Sequence, residues 1–266
     1  MNNDLLARRR LLKSKLQNRR RVFAGWNSFS HPSITEIFTR AGLDFIGIDL
    51  EHSTISQEQT QRIIAAAQSN GCLALVRIAS HNAEMARRAL DSGADGLIVP
   101  MVETSQDVER TIAWSKYPPE GKRGFGVSRA QGYGFDFDDY VKNWNSTSIL
   151  MVQIESVRAV ENIKEILASP HVDGAMIGPY DISGSLGIPG QLTHEKVLKL
   201  CNEVNRECVR QKKSYGTHIV EPTVERIKKA FKAGYTFTVL GSDVFALWKW
   251  TQRLGEHVLA LRQNAR

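Results

Sequence analysis

From residue 22 onward, short apolar runs alternate with longer amphipathic stretches. The runs are VFAGWNSF (22–29), FIGIDL (45–50), LALVRIA (73–79), GLIVPM (96–101), ILMVQIE (149–155), GAMIGP (174–179), SYGTHIV (214–220) and FTVLGS (237–242). They are β-branched or apolar with little alternation, as expected of strands buried on both faces. Between most of them the apolar residues recur with helical spacing. Several of these stretches end in glycine just before the next run, at Gly42, Gly71, Gly93 and Gly234. A glycine there suits the left-handed position that closes a helix. SITEIFTRAG also carries Ser33 and Glu36 at capping-box spacing, which predicts a helix start at Ser33.

Strand and helix alternate eight times across residues 22–266. This predicts an α/β chain whose parallel sheet closes into a (β/α)8 TIM barrel. An open doubly wound sheet is the alternative, but no GxGxxG follows the first run. No internal repeat or low-complexity linker divides the chain, so 22–266 reads as one domain behind a basic, helical extension at 1–21. One stretch breaks the rhythm: YPPEGKRGFGVSRAQGYGFDFDDY (117–140) is rich in Gly, Pro, Arg and aromatics. Long connections of this kind are often functional, and a lid is one reading.

The net charge of +7 changes the picture only at the N-terminus. Arg8, Arg9, Arg10, Lys13, Lys15, Arg19, Arg20 and Arg21 face a single acid, Asp4, within residues 1–21. That segment therefore carries the whole excess. A nucleic-acid or membrane arm is the tempting reading. The preferred reading is a solvated helix with Leu5, Leu6, Leu11, Leu12 and Leu16 on one face, because no aromatics interleave with the charges. Nucleic acid is therefore not an expected partner. No run of 18 apolar residues predicts a membrane span, and the N-terminus lacks a secretory h-region. The three cysteines, Cys72, Cys201 and Cys208, are odd in number and form no CxxC. A cytoplasmic location with reduced thiols is expected.

In a TIM barrel the chemistry sits at the C-terminal ends of the strands. Reading those ends gives Asp49, Glu51 and His52 after the second run, Arg77 inside the third, Gln153 and Glu155 on the fifth, and Asp181 in GPYDIS after the sixth. Glu155 and Asp181 together suit a hard divalent cation, since Mg²⁺ is held by one or two carboxylates plus water and substrate. Zinc would require more His or Cys. Arg77 offers a fork for a carboxylate or enolate, and His52 is the residue type that titrates near neutral pH. A metal and an arginine beside a base can enolise a 2-keto acid. No lysine stands at a strand end to form a Schiff base. Each residue also has a structural reading. Glu155 could be a helix-start acid, Asp181 a turn cap and His52 a rim histidine. Arg77 in an apolar strand is harder to dismiss, because a charge there requires a partner. His218, after the seventh run, reads as structural. Asp91 lies in the last turn of a helix, where an acid opposes the dipole, a placement that fits a contact with another subunit.

At these residues the sequence resembles the HpcH/HpaI family of metal-dependent class II pyruvate aldolases. The likeness rests on FIGIDLEHS, VRIA, LDSGADGLIVPMVET, YPPEGKRGFG, QIES with VENI, and VDGAMIGPYDISGSLG, between about residues 23 and 245. The resemblance implies Glu155 and Asp181 as metal ligands, Mg²⁺ first and Mn²⁺ or Co²⁺ as alternatives. It implies Arg77 on the pyruvate carboxylate or enolate oxygen. His52 would move the proton, supported by Asp49 and by Asp91 of a neighbouring subunit. Gln153, Gly178, Tyr180 and Asp181 would line the pyruvate pocket. The implied reaction is reversible cleavage of a 4-hydroxy-2-keto acid to pyruvate and an aldehyde. The implied assembly is a hexamer, a trimer of dimers that swap C-terminal elements. The chain departs from the family in reading GPYDIS where GPADLS is common, and DLEH where DGEH is common. The rivals are a malyl- or citramalyl-thioester lyase or decarboxylase on the same fold, and a non-catalytic barrel with a nucleic-acid arm. Arg123 and Arg129 in the 117–140 segment are charge-based candidates for an acidic acceptor.

Overall fold

The computed structural model describes residues 3–263. Each apolar run forms one strand: β1 (Val22–Asn27), β2 (Phe45–Asp49), β3 (Leu73–Arg77), β4 (Gly96–Val99), β5 (Ile149–Ile154), β6 (Gly174–Ile177), β7 (Ser214–Ile219) and β8 (Phe237–Leu240). They pair in chain order as a closed barrel, β1 returning to β8, and every pairing is parallel. The helices on or around it are α1 (Asn3–Gln17), α2 (Pro32–Thr39), α3 (Gln57–Ser69), α4 (Ala83–Asp91), α5 (Ser105–Ser115), α6 (Phe137–Thr147), α7 (Val157–Glu161), α8 (Ile163–Leu167), α9 (Pro179–Ser185), α10 (Glu195–Arg210), α11 (Val224–Lys232) and α12 (Asp243–Gln263). Among the described residues, no helix is long and apolar enough to cross a membrane.

The glycine stops are as expected: Gly42, Gly71, Gly93 and Gly234 have φ of +71°, +74°, +101° and +97°. The expected start of α2 is not. The helix begins at Pro32, and the His31 ring accepts the Ser33 N–H at 3.3 Å. Proline lacks the N–H that a first turn leaves unpaired, so it takes the opening position and Ser33 lies inside.

Two cores share the strands. Residues of one parity, such as Ile46, Ile48, Val76, Leu97, Val152 and Ile177, pack outward against the helices. Residues of the other parity fill the barrel: Val22, Ala24, Trp26, Phe45, Leu73, Leu75, Ile98, Ile149, Met151, Met176, Phe237 and Val239. This is the period of two inherent in a strand. Trp26 reaches across the interior because Gly47 has no side chain; a Cβ there would lie 2.3 Å from the indole.

The basic extension is helical, as expected, but it is not a solvated helix. Leu12 and Leu16 of α1 are buried in the barrel core. Around them, the cations of α1 meet aspartates that directly precede alternate strands. Lys15 pairs with Asp44 before β2 at 2.5 Å, Arg9 with Asp95 before β4 at 3.1 Å, and Lys13 with Asp173 before β6 at 2.8 Å. The same aspartates accept the backbone N–H groups of Phe23, Ala74 and Leu150, each at 2.9 Å. Arg9 and Asp95 are almost wholly inaccessible, 3% and 1% exposed. The helix closes the N-terminal end of the barrel, and most of its charge is consumed there.

The 117–140 segment also differs from a simple open loop. It holds a 3-10 turn (Arg129–Gly134) and the start of α6. It connects α5 to β5, so it lies at the N-terminal end of the barrel. Arg123 is buried there over the rings of Tyr117, Tyr140 and Trp144, and donates to Asp91 at 2.8 Å. Arg129 donates to the Ser92 carbonyl. Within one chain neither arginine reaches the C-terminal mouth, and the segment is not a lid over it.

Candidate active site

The inward parity that fills the barrel continues to its C-terminal mouth. It carries Phe45 and Gly47 on to Asp49, Leu73 and Leu75 on to Arg77, and Ile149 and Met151 on to Gln153 and Glu155. Asp49 and Arg77 stand opposite each other in the β2–β3 register. Arg77 Nε donates to Asp49 Oδ1 at 3.0 Å and Nη2 to Oδ2 at 2.7 Å, a bidentate pair. Nη1 lies 3.0 Å from Glu51 Oε2. The guanidinium carbon lies 5.0 Å from the centre of the Trp26 ring, whose Nε1 donates to Asp49 at 3.3 Å. Burial alone would raise the Asp49 pKa, but the hydrogen bonds and charge of Arg77, with help from Trp26 and the His52 N–H, hold it below its ordinary value.

Glu155 stands just past β5 and is 7% exposed. Its Oε2 accepts the Met101 N–H and its Oε1 accepts Gln153 Nε2, both at 2.8 Å. Burial pushes its pKa up to about 7; the Met101 N–H opposes this, while Glu51 and Asp181 reinforce it. Asp181 lies exposed in the first turn of α9. Gly178 brings the two together: a Cβ built on it would sit 2.7 Å from Asp181 Oδ2, 3.0 Å from Glu155 Cγ and 3.5 Å from Glu155 Oε1. The bare backbone leaves a cradle with a carboxylate on either side. Gln153 Oε1, next to Glu155, is buried without a hydrogen bond. Crowded carboxylates, a raised Glu155 and an unsatisfied amide oxygen fit a small hard cation. Among the described residues, no group of three His, Cys, Asp or Glu forms a complete protein cage.

The remaining expected residues fall as follows. His52 is on the rim, its side chain 73% exposed, with Nε2 4.0 Å from Glu51 Oε2. Asp49 contacts the backbone N–H of His52 at 3.1 Å, and its carboxylate is otherwise engaged by Arg77, Trp26 and the Glu51 N–H. Tyr180 is exposed one residue before Asp181, its ring beside Gly190. Asp91 ends α4, at the opposite end of the barrel, bound to Arg123. His218 is a barrel residue against Trp26 and Phe245, its Nε2 3.1 Å from the Gly241 carbonyl, and burial pushes it down to about 4.

Two contributors, Trp26 and Met101, lie outside the expected site residues, and a third, Glu51, stands in the expected ring of strand-end residues with no role assigned to it. Glu51 bridges Arg77 and His52. Its position in DLEH was visible, but its partner was not. Trp26 read as an ordinary core aromatic. Met101 orients Glu155 through its backbone, in a left-handed conformation with φ +49°. A non-glycine residue in that region is uncommon, and no side-chain pattern announces it.

The family profile described as HpcH/HpaI aldolase/citrate lyase matches residues 23–249, and the chain belongs to that family. Among its relatives is the 5-keto-4-deoxy-D-glucarate aldolase of Escherichia coli O139:H28 (strain E24377A / ETEC). It is 31% identical over 257 residues, covering 96% of this chain and 98% of that one. A solved HpcH/HpaI aldolase/citrate lyase family protein from Burkholderia cenocepacia J2315 superposes with a TM-score of 0.87 at 27% identity, over 94% of this chain and 99% of that one. The citrate synthase SbnG superposes with a TM-score of 0.81 at 27% identity, over 96% and 98%.

Proposed function

We propose that this chain is a divalent-metal-dependent aldolase that reversibly cleaves a 4-hydroxy-2-keto acid to pyruvate and an aldehyde. The observation that carries the reading is the gathering of Arg77 and Asp181 within electrostatic reach of buried Glu155, with Gly178 leaving the space between the two carboxylates open. The 31% identity to a 5-keto-4-deoxy-D-glucarate aldolase supports the reaction class. A cation such as Mg²⁺, Mn²⁺ or Co²⁺, held by Glu155 and Asp181, would supply Lewis acidity at the keto oxygen. Arg77, anchored by Asp49, binds the 2-keto acid's carboxylate or enolate oxygen in a fixed plane. Gln153 and the Met101 N–H hold Glu155 in place, and Gly178 and Tyr180 line the space around Asp181. His52, on the rim and open to solvent, moves the proton of the 4-hydroxyl directly or through water. Asp91 could assist His52 only from a neighbouring copy, since in its own chain it lies at the far end of the barrel.

The test is exchange of pyruvate methyl protons in D₂O, followed by NMR. Exchange that requires Mg²⁺ or Mn²⁺, stops with chelator and is lost in Glu155→Ala supports the reading. Absence of exchange under any metal refutes pyruvate as the donor. A second reading, carbon–carbon bond formation on a different 2-keto acid, is favoured by the likeness to citrate synthase SbnG. Oxaloacetate in place of pyruvate, with its C3 methylene protons followed against an enzyme-free control containing the same metal, distinguishes the two. A homo-oligomer is also part of the proposal. Helix α12 exposes Leu247, Trp248, Trp250, Leu254, Leu259 and Leu261, an apolar row that a second copy would cover. Light scattering on a purified sample decides it, and a monomer refutes it.

A further inference from the structure

Glu51 lies two residues beyond Asp49, in a turn that Asp49 itself organises. Asp49 Oδ1 accepts the Glu51 N–H at 3.0 Å and the His52 N–H at 3.1 Å, which fixes where the Glu51 side chain starts. That side chain is only 16% exposed. Its Oε2 is buried and makes no hydrogen bond of good geometry. The same oxygen lies 3.0 Å from Arg77 Nη1 and 4.0 Å from His52 Nε2. Glu51 also interacts electrostatically with Asp49, Asp181 and Glu155. Arg77 cannot settle this charge alone, because two other N–H groups of its fork are bound to Asp49. Asp95 Oδ1, at the other end of the barrel, is likewise buried without a hydrogen bond, but its charged neighbours are Arg9 and Arg129, whereas Glu51 lies among like charges.

We infer that Glu51 is a positioning residue shared by the two halves of the site: it holds the Nη1 edge of Arg77 and adds a third negative charge to the field of the Glu155–Asp181 pair. The inference rests on the metal-dependent reading above. In the first role Glu51 keeps the guanidinium from rotating about its pair with Asp49, so the arginine meets an incoming carboxylate in one orientation. In the second it acts through space, drawing a cation to ligands that Glu51 itself does not join. A carboxylate that merely neutralised Arg77 would perform neither task.

The experiment is Mn²⁺ titration by calorimetry without substrate, on wild type, Glu51→Gln and Glu51→Asp, with pyruvate exchange kinetics alongside. Loss of one nearby charge at an intermediate effective dielectric should raise the Mn²⁺ Kd of Glu51→Gln roughly three- to tenfold. Its KM for pyruvate should rise more than its kcat falls. Glu51→Asp keeps the charge on a shorter stem. It should recover the Mn²⁺ affinity while KM stays raised, and it also serves as the decisive variant if Glu51→Gln folds poorly. A Mn²⁺ Kd within twofold of wild type in Glu51→Gln overturns the inference while leaving the aldolase reading intact. Wild-type protein that binds no divalent ion and exchanges no pyruvate proton overturns both.

Discussion

The two ends of this barrel use the same residue types to opposite effect. At the N-terminal end, Asp44, Asp95 and Asp173 each accept a backbone N–H and each meet a cation from α1. At the C-terminal end, Arg77 pairs with Asp49 and Glu51, while Glu51, Glu155 and Asp181 repel one another. A carboxylate whose charged neighbours are cations contributes structure, as Asp95 does beside Arg9 and Arg129 although its Oδ1 makes no hydrogen bond. A carboxylate left among like charges keeps part of its interaction energy for a ligand. The difference separates the stabilising end of a barrel from its functional end more sharply than burial does, since Asp95 and Glu155 are both buried.

The comparison can be broken most directly at Glu155. If Glu155 holds the proposed cation, replacement by alanine should lower metal-dependent pyruvate exchange by about 10⁴-fold. Thermal unfolding should be unchanged or raised, because a crowded buried carboxylate goes with it. A large loss of stability would mean that this end too is structural. The converse variant is Asp95→Ala. It removes the carboxylate from buried Arg9, leaving the guanidinium over Tyr140 and Trp144, and should cost about 3–5 kcal/mol in urea unfolding. The exchange rate per folded molecule should stay near wild type; a matching loss of rate would show that the two ends are coupled.

Arg77→Lys tests whether geometry or charge matters at the mouth. A lysine cannot reproduce the bidentate pair with Asp49, and a loss of about 10²-fold in exchange is expected with little change in stability. Full activity would reduce Arg77 to a charge. The smallest effect concerns pH. Burial pushes His218 down to about 4 from 6.5. Between those values the unfolded chain binds a proton that the folded chain refuses. Stability from this group is therefore full above pH 6.5 and declines as pH falls towards 4. Urea unfolding at pH 7 and pH 5 should differ by on the order of 1 kcal/mol less in His218→Gln than in wild type. An equal difference in both would show that His218 titrates normally.

Much of the mouth is legible in the sequence. The alternation along LALVRIA and ILMVQIE already turns Arg77, Gln153 and Glu155 towards one face. The structure keeps that face inward and brings Asp49 to Arg77 and Asp181 to Glu155. The start of α2 was misread because Ser33 and Glu36 have the spacing of a capping box while Pro32 takes the first helical position. Residues 1–21 were misread more deeply. Their charges looked solvated because the aspartates that bind them lie up to 160 residues away. The 117–140 segment drew attention by composition, which does not report which end of a barrel a connection occupies.

What the chain determined by itself is local: strand period, helix stops and the inward parity of each polar residue at a strand end. These depend on neighbours a few positions apart, and steric and hydrophobic pressures act on them directly. Only the closed barrel decided which charges meet. It engages Arg9, Lys13 and Lys15 of α1 at one end, and at the other it pairs Arg77 with Asp49 and Glu51 and crowds Glu155 against Glu51 and Asp181. It also leaves Glu51 Oε2 buried without a hydrogen bond. Pairing is a property of distance through space, and that distance exists only once β1 has returned to β8.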